Sequence, residues 1–303
     1  MAHFADRLIH RIRQLGHPLC VGLDPHLPSI PPLFRRGSMS ASDPQTAPAV
    51  ESFLLAVLDR AADRAAIVKP QSAFFEQLGW RGVQVLDHLV AAARARGLLV
   101  LLDAKRGDID STAAAYAAYL DPHGALPVDA ITVNPYMGRD TLASFVDVAS
   151  HNDRGVFVLV KTSNPGSGDY QDRLIDGRPL FERIAESLAE IADRLRGPAT
   201  GWSSLGVIAG ATYPAQSRRI RELLPRALFL VPGYGAQGGG ARDAVSGFAP
   251  GPDGRLEGGF VNSSRGILFP ADGATGDARA WEQAIDAAID RGIAELTAAV
   301  QPS

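Results

Sequence analysis

Asp103, Lys105 and Asp108 stand within six positions of one another, directly after the apolar run Leu98, Leu99, Val100, Leu101 and Leu102. A run of that kind between Gly97 and Gly107 reads as a strand buried on both faces. Side chains alternate along a strand, so Asp103 and Lys105 project from one face and Ala104 from the other. Two opposite charges at the end of a buried element offset each other's desolvation while both stay available to a ligand. The same residues also fit a plainer arrangement, a structural ion pair followed by an Asp108 that caps the next helix. The local pattern leaves both readings open.

The elements that must position these charges repeat along the chain. Strand-like runs occur at 19–24, 65–69, 98–103, 129–134, 156–161, 205–209, 228–232 and 259–263. Segments with 3.6-residue periodicity lie between and after them, at 52–64, 82–96, 111–120, 139–150, 181–196, 215–224 and 278–299. Eight strands alternating with helices predict an α/β fold, a (β/α)8 TIM barrel spanning residues 1–303 as one domain. A doubly wound open sheet is the competing architecture, but it favours a glycine-rich turn after the first strand, where this chain has Leu23-Asp24-Pro25-His26. Three polar stretches rich in Gly, Pro and Ser, near 28–48, 164–179 and 235–258, each follow a strand. In a barrel they would all lie on the C-terminal face, as lids or binding loops, or for 28–48 as a disordered surface excursion.

Barrel enzymes draw their chemistry from the ends of several strands. Here those ends carry Asp24, Lys69, Asp103 with Lys105, Asn134, Lys161 with Thr162 and Ser163, Gly233 and Arg265. One lysine closing a strand could be a snorkelling side chain; two lysines alongside two aspartates form a set suited to chemistry. The glycines of 230–240 can bring backbone N–H groups close to an anion, and Arg265 offers a guanidinium fork for phosphate oxygens. Both segments follow the last two strands, the usual phosphate position in such barrels.

Composition narrows the alternatives. A net charge of −3 argues against a protein whose main ligand is nucleic acid. A single cysteine, Cys20, permits no disulfide within the chain and makes a reducing, cytoplasmic setting the default. No apolar stretch reaches the ~18 residues needed to cross a bilayer, and the amphipathic segment 3–16 lacks a signal-peptide core. The seven histidines show no close ligand spacing, so no metal site is expected from them.

At the level of motifs the chain resembles the orotidine 5′-phosphate decarboxylase family, in its longer bacterial (type 2) branch. The resemblance rests on GLDP at 22–25, VKPQSAFFE at 68–76, DAKRGDIDST at 103–112, VNPYMG at 133–138, VKTSNPGS at 160–167, VPGYGAQGG at 231–239 and NSSRG at 262–266. The D-x-K-x-x-D core is shared with related sugar-phosphate enzymes; its combination with TSNPG and PGYGAQGG is more specific. The resemblance implies cofactor-free decarboxylation of orotidine 5′-monophosphate to uridine 5′-monophosphate, the last step of de novo pyrimidine nucleotide synthesis. It also implies a homodimer with shared active sites. Lys69, Asp103, Lys105 and Asp108 would form an alternating array, with Asp108 and Thr112 reaching the neighbouring subunit's site. Asp24 would hold the ribose with Lys69, Thr162 and Ser163 would face the pyrimidine, and Gln237 with Arg265 would bind phosphate beside Gly233.

The chemistry this implies has a physical logic. Loss of CO2 from C6 leaves a carbanion in the ring plane that no adjacent π system can spread, so the protein must supply positive charge there. Lys105 would do so as an ammonium and then protonate C6, with Asp103 and Asp108 keeping it charged and aimed. The nearest rival, a Mg²⁺-dependent enediolate-forming barrel, needs a carboxylate set suited to the metal, yet the acid closest after Lys69 is Glu76, seven positions on. A Schiff-base aldolase is disfavoured by the carboxylates around Lys105. A noncatalytic phosphate binder has no reason to keep four buried charges.

Overall fold

In the computed structural model, which describes residues 2–235 and 238–302, eight parallel strands close into a barrel in strict sequence order. They are Leu19–Leu23, Ile67–Pro70, Leu99–Arg106, Ala130–Val133, Gly155–Lys161, Ser203–Ala209, Ala227–Val231 and Gly259–Ser263. The first strand pairs with the eighth (Leu19 with Val261) and with the second (Cys20 with Ile67), which leaves no edge open. All eight expected strands are present, and the architecture is the (β/α)8 barrel.

Strand alternation divides the apolar residues into two cores. Val68, Val100, Leu102, Val156, Val158, Val207 and Val261 face outward into the layer shared with the helices. Cys20, Ile67, Leu101, Phe157, Leu228, Leu230 and Phe260 belong to a separate cluster that fills the barrel. The N-terminal helix Phe4–Leu15, stopped by Gly16 at φ 79°, belongs to that inner cluster through Phe4, Leu8, Ile9 and Ile12 and closes the barrel's N-terminal end. Phe4 meets Phe157 edge-on at 6.1 Å, and Phe157 meets Phe260 at 5.4 Å.

The helices differ from expectation mostly at their ends. The helix expected from residue 52 starts at Thr46, because Thr46, Ala47, Ala49 and Val50 are buried. Pro48 sits in its first turn, where the missing N–H has no intrahelical acceptor to lose. The helix expected over 181–196 is interrupted at Leu188 and runs as Leu180–Ser187 and Ala189–Arg194. The last helix, Ala278–Val300, begins where Asp277 accepts a hydrogen bond from Ala280 N–H at 2.7 Å.

The polar stretch near 28–48 is a surface excursion, much of it exposed, that is tied to the body of the protein at its start rather than disordered. Arg35 donates to the carbonyls of Ile30 and Pro28, and Phe34 packs against Phe53 and Trp281 at 5.4 and 4.8 Å. It lies against the outer helices. The two other stretches each carry a short hairpin, Leu174–Ile175 with Arg178–Pro179 and Ala249–Pro250 with Leu256–Glu257.

Candidate active site

The inward-facing rows that are apolar low in the barrel turn polar at its C-terminal end. There they line a cavity of about 670 Å³, a volume suited to one small ligand. Period-two alternation carries the second strand from Ile67 to Lys69 and on to Gln71, and the third from Leu101 to Asp103 and Lys105. The first strand passes through Gly22, where a Cβ would fall 1.9 Å from Ser264 Oγ. Only glycine lets the eighth strand's polar end come that close.

Asp103 is the hub of the site. Its Oδ2 accepts from Lys69 Nζ at 2.8 Å; its Oδ1 accepts from Lys105 Nζ at 2.6 Å and from the Thr132 hydroxyl at 2.9 Å. Burial opposes ionisation of Asp103, but the two flanking ammoniums outweigh it and hold the carboxyl well below the usual range. Burial likewise works against a charged Lys69, and the nearby Asp103 and Asp24 carboxylates reverse that and raise its pKa. Lys69 is thus a fixed, buried cation.

Lys105 is held differently. Its backbone lies in the left-handed region at φ 48°, and the strand's pairing register shifts between Leu102 and Arg106. A non-glycine residue there is strained by about 1 kcal/mol or more, and such strain persists only when neighbours over-determine it. Thr132 does so, accepting Lys105 N–H at 2.8 Å with the same hydroxyl that donates to Asp103. The Lys105 side chain is 41% exposed, so its ammonium is both anchored and open to the cavity.

Asp24 has unused capacity. Its Oδ1 is buried with no hydrogen-bond partner among the described residues, and Lys69 Nζ lies 3.8 Å away. Thr162, Ser163, Gly233 and Arg265 line the same cavity. Gly233 adopts φ 92°, and its carbonyl accepts from Gly239 N–H at 3.1 Å. Arg265 is exposed at the rim, and its side chain makes no hydrogen bond or ion pair among the described residues. Gln237 lies outside the described residues.

Two expected site residues are not brought in. Asp108 is partly exposed and Thr112 exposed, and neither lines this chain's cavity. Nor is Asp108 a helix cap: the following helix, Asp110–Ala117, has Ile109 at its N-cap position and no side-chain cap, while among the described residues Asp108 accepts only from Ile109 N–H, at 2.8 Å. Lys161, one of the charged strand ends, is turned away from the cavity and donates to Asp172 at 2.8 Å. Glu76 pairs with Arg106.

The cavity also contains residues that the sequence reading passed over: His26, Gln71, Phe74, Leu159, Asn164, Ile208, Asn262 and Ser264. Alternation could have found Gln71 from Lys69, and Ser264 from Asn262. His26, set edge-on to Phe74 at 4.5 Å, comes from a turn with no such regularity.

A closed parallel barrel with lysines and aspartates interleaved at its C-terminal mouth, and a free arginine on the rim, defines an enzyme of the (β/α)8 class that takes a small anionic substrate. The sequence matches the orotidine 5′-phosphate decarboxylase / HUMPS family over residues 17–278, and the chain belongs to that family. Orotidine 5′-phosphate decarboxylase of Rhodopirellula baltica is 41% identical over 300 residues, covering 95% of this chain and 97% of the relative. That of Haloarcula marismortui is 43% identical over 275 residues, covering 90% and 89%. Among solved structures, a putative orotidine 5′-phosphate decarboxylase from Streptomyces avermitilis aligns with TM-score 0.77 at 35% identity, covering 99% of this chain and 96% of that one. A putative orotidine-monophosphate decarboxylase from Toxoplasma gondii aligns with TM-score 0.79 at 32% identity, covering 99% and 97%.

Proposed function

We infer that the chain decarboxylates orotidine 5′-monophosphate to uridine 5′-monophosphate and CO2 in pyrimidine synthesis, with Lys105 as the group that meets the developing carbanion at C6. The observation that carries this role is the pairing of two lysines on one carboxylate. Lys69 is buried and committed to Asp103, whereas Lys105 is tethered to it and open to the cavity. As CO2 departs, the Lys105 ammonium stabilises the electron pair left on C6 and then donates its proton there. Asp103 aims that ammonium. Asp24, with an unsatisfied buried oxygen, is suited to the ribose hydroxyls, and Arg265 with Gly233 and Gln237 to the phosphate.

The scheme draws its positive charge from the protein and calls on no cofactor. A Mg²⁺-dependent enediolate reaction is disfavoured because the Lys69 ammonium already stands between Asp24 and Asp103. Incubating the purified protein with orotidine 5′-monophosphate, with and without EDTA, and following the ultraviolet change tests the reading. Turnover unaffected by chelation is expected. Absent turnover, or turnover reversibly abolished by EDTA, would sink it.

The working unit we propose is a homodimer of single-domain barrels, the loop excursions near 28–48, 164–179 and 235–258 included, in which Asp108 and Thr112 complete the neighbour's site. Their position outside this chain's own cavity supports that reading. So do the exposed apolar side chains Ile109, Tyr136 and Met137, on two loops joined by the hydrogen bond from Asn134 N–H to Arg106 O at 2.8 Å. Mixed Lys105→Ala and Asp108→Ala subunits should recover one working site per heterodimer; no recovery would count against Asp108 acting in trans. No helix among the described residues is long and apolar enough to cross a membrane, and we place the enzyme in the cytoplasm.

A further inference from the structure

We propose that Gln171 is a positioning residue for recognition of the substrate's base, acting through Thr162 on Ser163. Gln171 comes from the excursion after the fifth strand and does not line the cavity. Its side-chain amide grips Thr162 twice. The Oε1 accepts Thr162 N–H at 2.9 Å, and the Nε2 donates to Thr162 Oγ1 at 2.8 Å. The Thr162 hydroxyl then donates to Asn164 Oδ1 at 2.7 Å. The main-chain donor of Thr162 and both functions of its hydroxyl are therefore engaged within the protein. Thr162 has little left with which to read a ligand.

Ser163 is the complementary case. Its carbonyl accepts from the Thr212 hydroxyl at 3.2 Å, while its N–H and hydroxyl make no hydrogen bond among the described residues, and it lines the cavity. From below it is supported by Gly210, where a Cβ would fall 2.8 Å from Ser163 Cα. An N–H beside a hydroxyl that can donate or accept matches the adjacent C4 carbonyl and N3–H of a pyrimidine edge. Such a pair reads a base only if its placement is fixed to within about half an ångström. The Gln171 amide supplies that fixity on the Thr162 side.

Gln171 is itself anchored. Its N–H donates to Ser167 O, and its carbonyl accepts from Phe181 N–H, both at 2.9 Å. The next residue, Asp172, takes the ammonium of Lys161, which is 1% exposed and lies 4.3 Å from the Tyr213 ring centroid. Adjacent residues of the excursion thus clamp adjacent residues of the strand end, Gln171 on Thr162 and Asp172 on Lys161. This gives the excursion a task in selecting the base without touching it.

The proposal rests on the reading that the Thr162–Ser163 turn faces the pyrimidine, and the experiment separates the two. Calorimetric affinities for uridine 5′-monophosphate and for ribose 5-phosphate, which lacks the base, are compared across wild type, Ser163→Ala, Gln171→Ala and Gln171→Glu. Ser163→Ala and Gln171→Ala should each weaken the nucleotide by about tenfold and leave ribose 5-phosphate within about twofold. Gln171→Glu keeps an acceptor of the same reach for Thr162 N–H and should recover affinity to within about threefold of wild type. A Ser163→Ala variant with full nucleotide affinity overturns the base-facing reading. Weakening by Ser163→Ala but not by Gln171→Ala overturns the role of Gln171 alone. Equal losses on both ligands, or a Gln171→Ala protein that does not fold, would make Gln171 a structural residue and refute the positioning role.

Discussion

The two ends of the barrel both bury charge, and they do so in opposite ways. At the N-terminal end every buried carboxylate is surrounded by donors. Asp129 accepts from Arg7 at 2.7 Å, from Arg154 at 2.5 Å and from Val100 N–H at 2.9 Å. Glu257 receives both Nε and Nη2 of Arg13 at 2.8 Å, and Trp202 Nε1 at 2.8 Å. Asp6 takes the N–H and hydroxyl of Thr200 and the N–H of Ala199; burial opposes its ionisation, but these hydrogen bonds keep its pKa low. At the C-terminal end the charges are held but not exhausted. Lys105 has one anchor and an open side, Asp24 has a buried oxygen without a donor, and Arg265 stands free. Burial of charge alone therefore does not mark a site. Unused hydrogen-bonding capacity that opens onto a cavity does, because a ligand entering there can complete it.

The contrast can be broken most sharply at Lys105. Lys105→Ala should lower kcat by roughly four orders of magnitude or more while thermal unfolding shifts little, because the exposed ammonium serves the transition state more than the fold. Near wild-type kcat would end its assigned role. The mirror experiment is Asp129→Ala, which removes the acceptor shared by Arg7, Arg154 and Val100 N–H. It should cost about 3–5 kcal/mol in denaturant unfolding and leave the kcat of the folded enzyme unchanged.

His17 gives the N-terminal end a pH signature. It is buried, its Nδ1 accepts from Leu19 N–H, and burial together with the Arg64 charge lowers its pKa to about 4. The unfolded chain binds a proton at His17 below about pH 6.5, whereas the folded protein does so only near pH 4. In that window the unfolded state holds more protons, so stability falls as pH drops from about 6.5 to 4, by up to about 3 kcal/mol. His17→Asn, which keeps an acceptor for Leu19 N–H, should flatten that part of the stability–pH curve; an unchanged slope would remove His17 as its cause. The smallest stability change belongs to Asp24→Asn. Because no protein donor among the described residues reaches its buried oxygen, stability should move by less than about 1 kcal/mol while affinity for uridine 5′-monophosphate falls about tenfold or more. A large loss of stability would place Asp24 with the N-terminal carboxylates.

Much of this was legible along the chain. Alternation of short apolar runs with helical periodicity announced eight strands, and all eight are present. The strand ends named most of the cavity, since a parallel barrel brings the C-terminal ends of its strands to one mouth. Legibility failed where neighbours in space override local pattern. The helix from Thr46 begins earlier than its periodicity, because tertiary packing buries its first turn. Lys161 stands at a strand end like Lys69, yet a register shift between Leu159 and Lys161 precedes its turn toward Asp172 and Tyr213. Lys105 reaches Asp103 as alternation anticipates, but through a strained backbone whose N–H is held by Thr132, on the next strand.

The sequence by itself determined the fold class, the family and the set of charged residues at the strand ends, because hydrophobic period and local motifs are properties of the chain alone. Tertiary structure decided which of those charges are satisfied and which are open. It set Lys69 as fixed and Lys105 as available, spared Asp24 a donor, and left Asp108 outside its own chain's cavity. It also turned Gln171 from a residue in a polar loop into the brace behind Thr162. Satisfaction of a polar group depends on donors and acceptors that arrive from distant parts of the chain, so it appears only when the barrel closes.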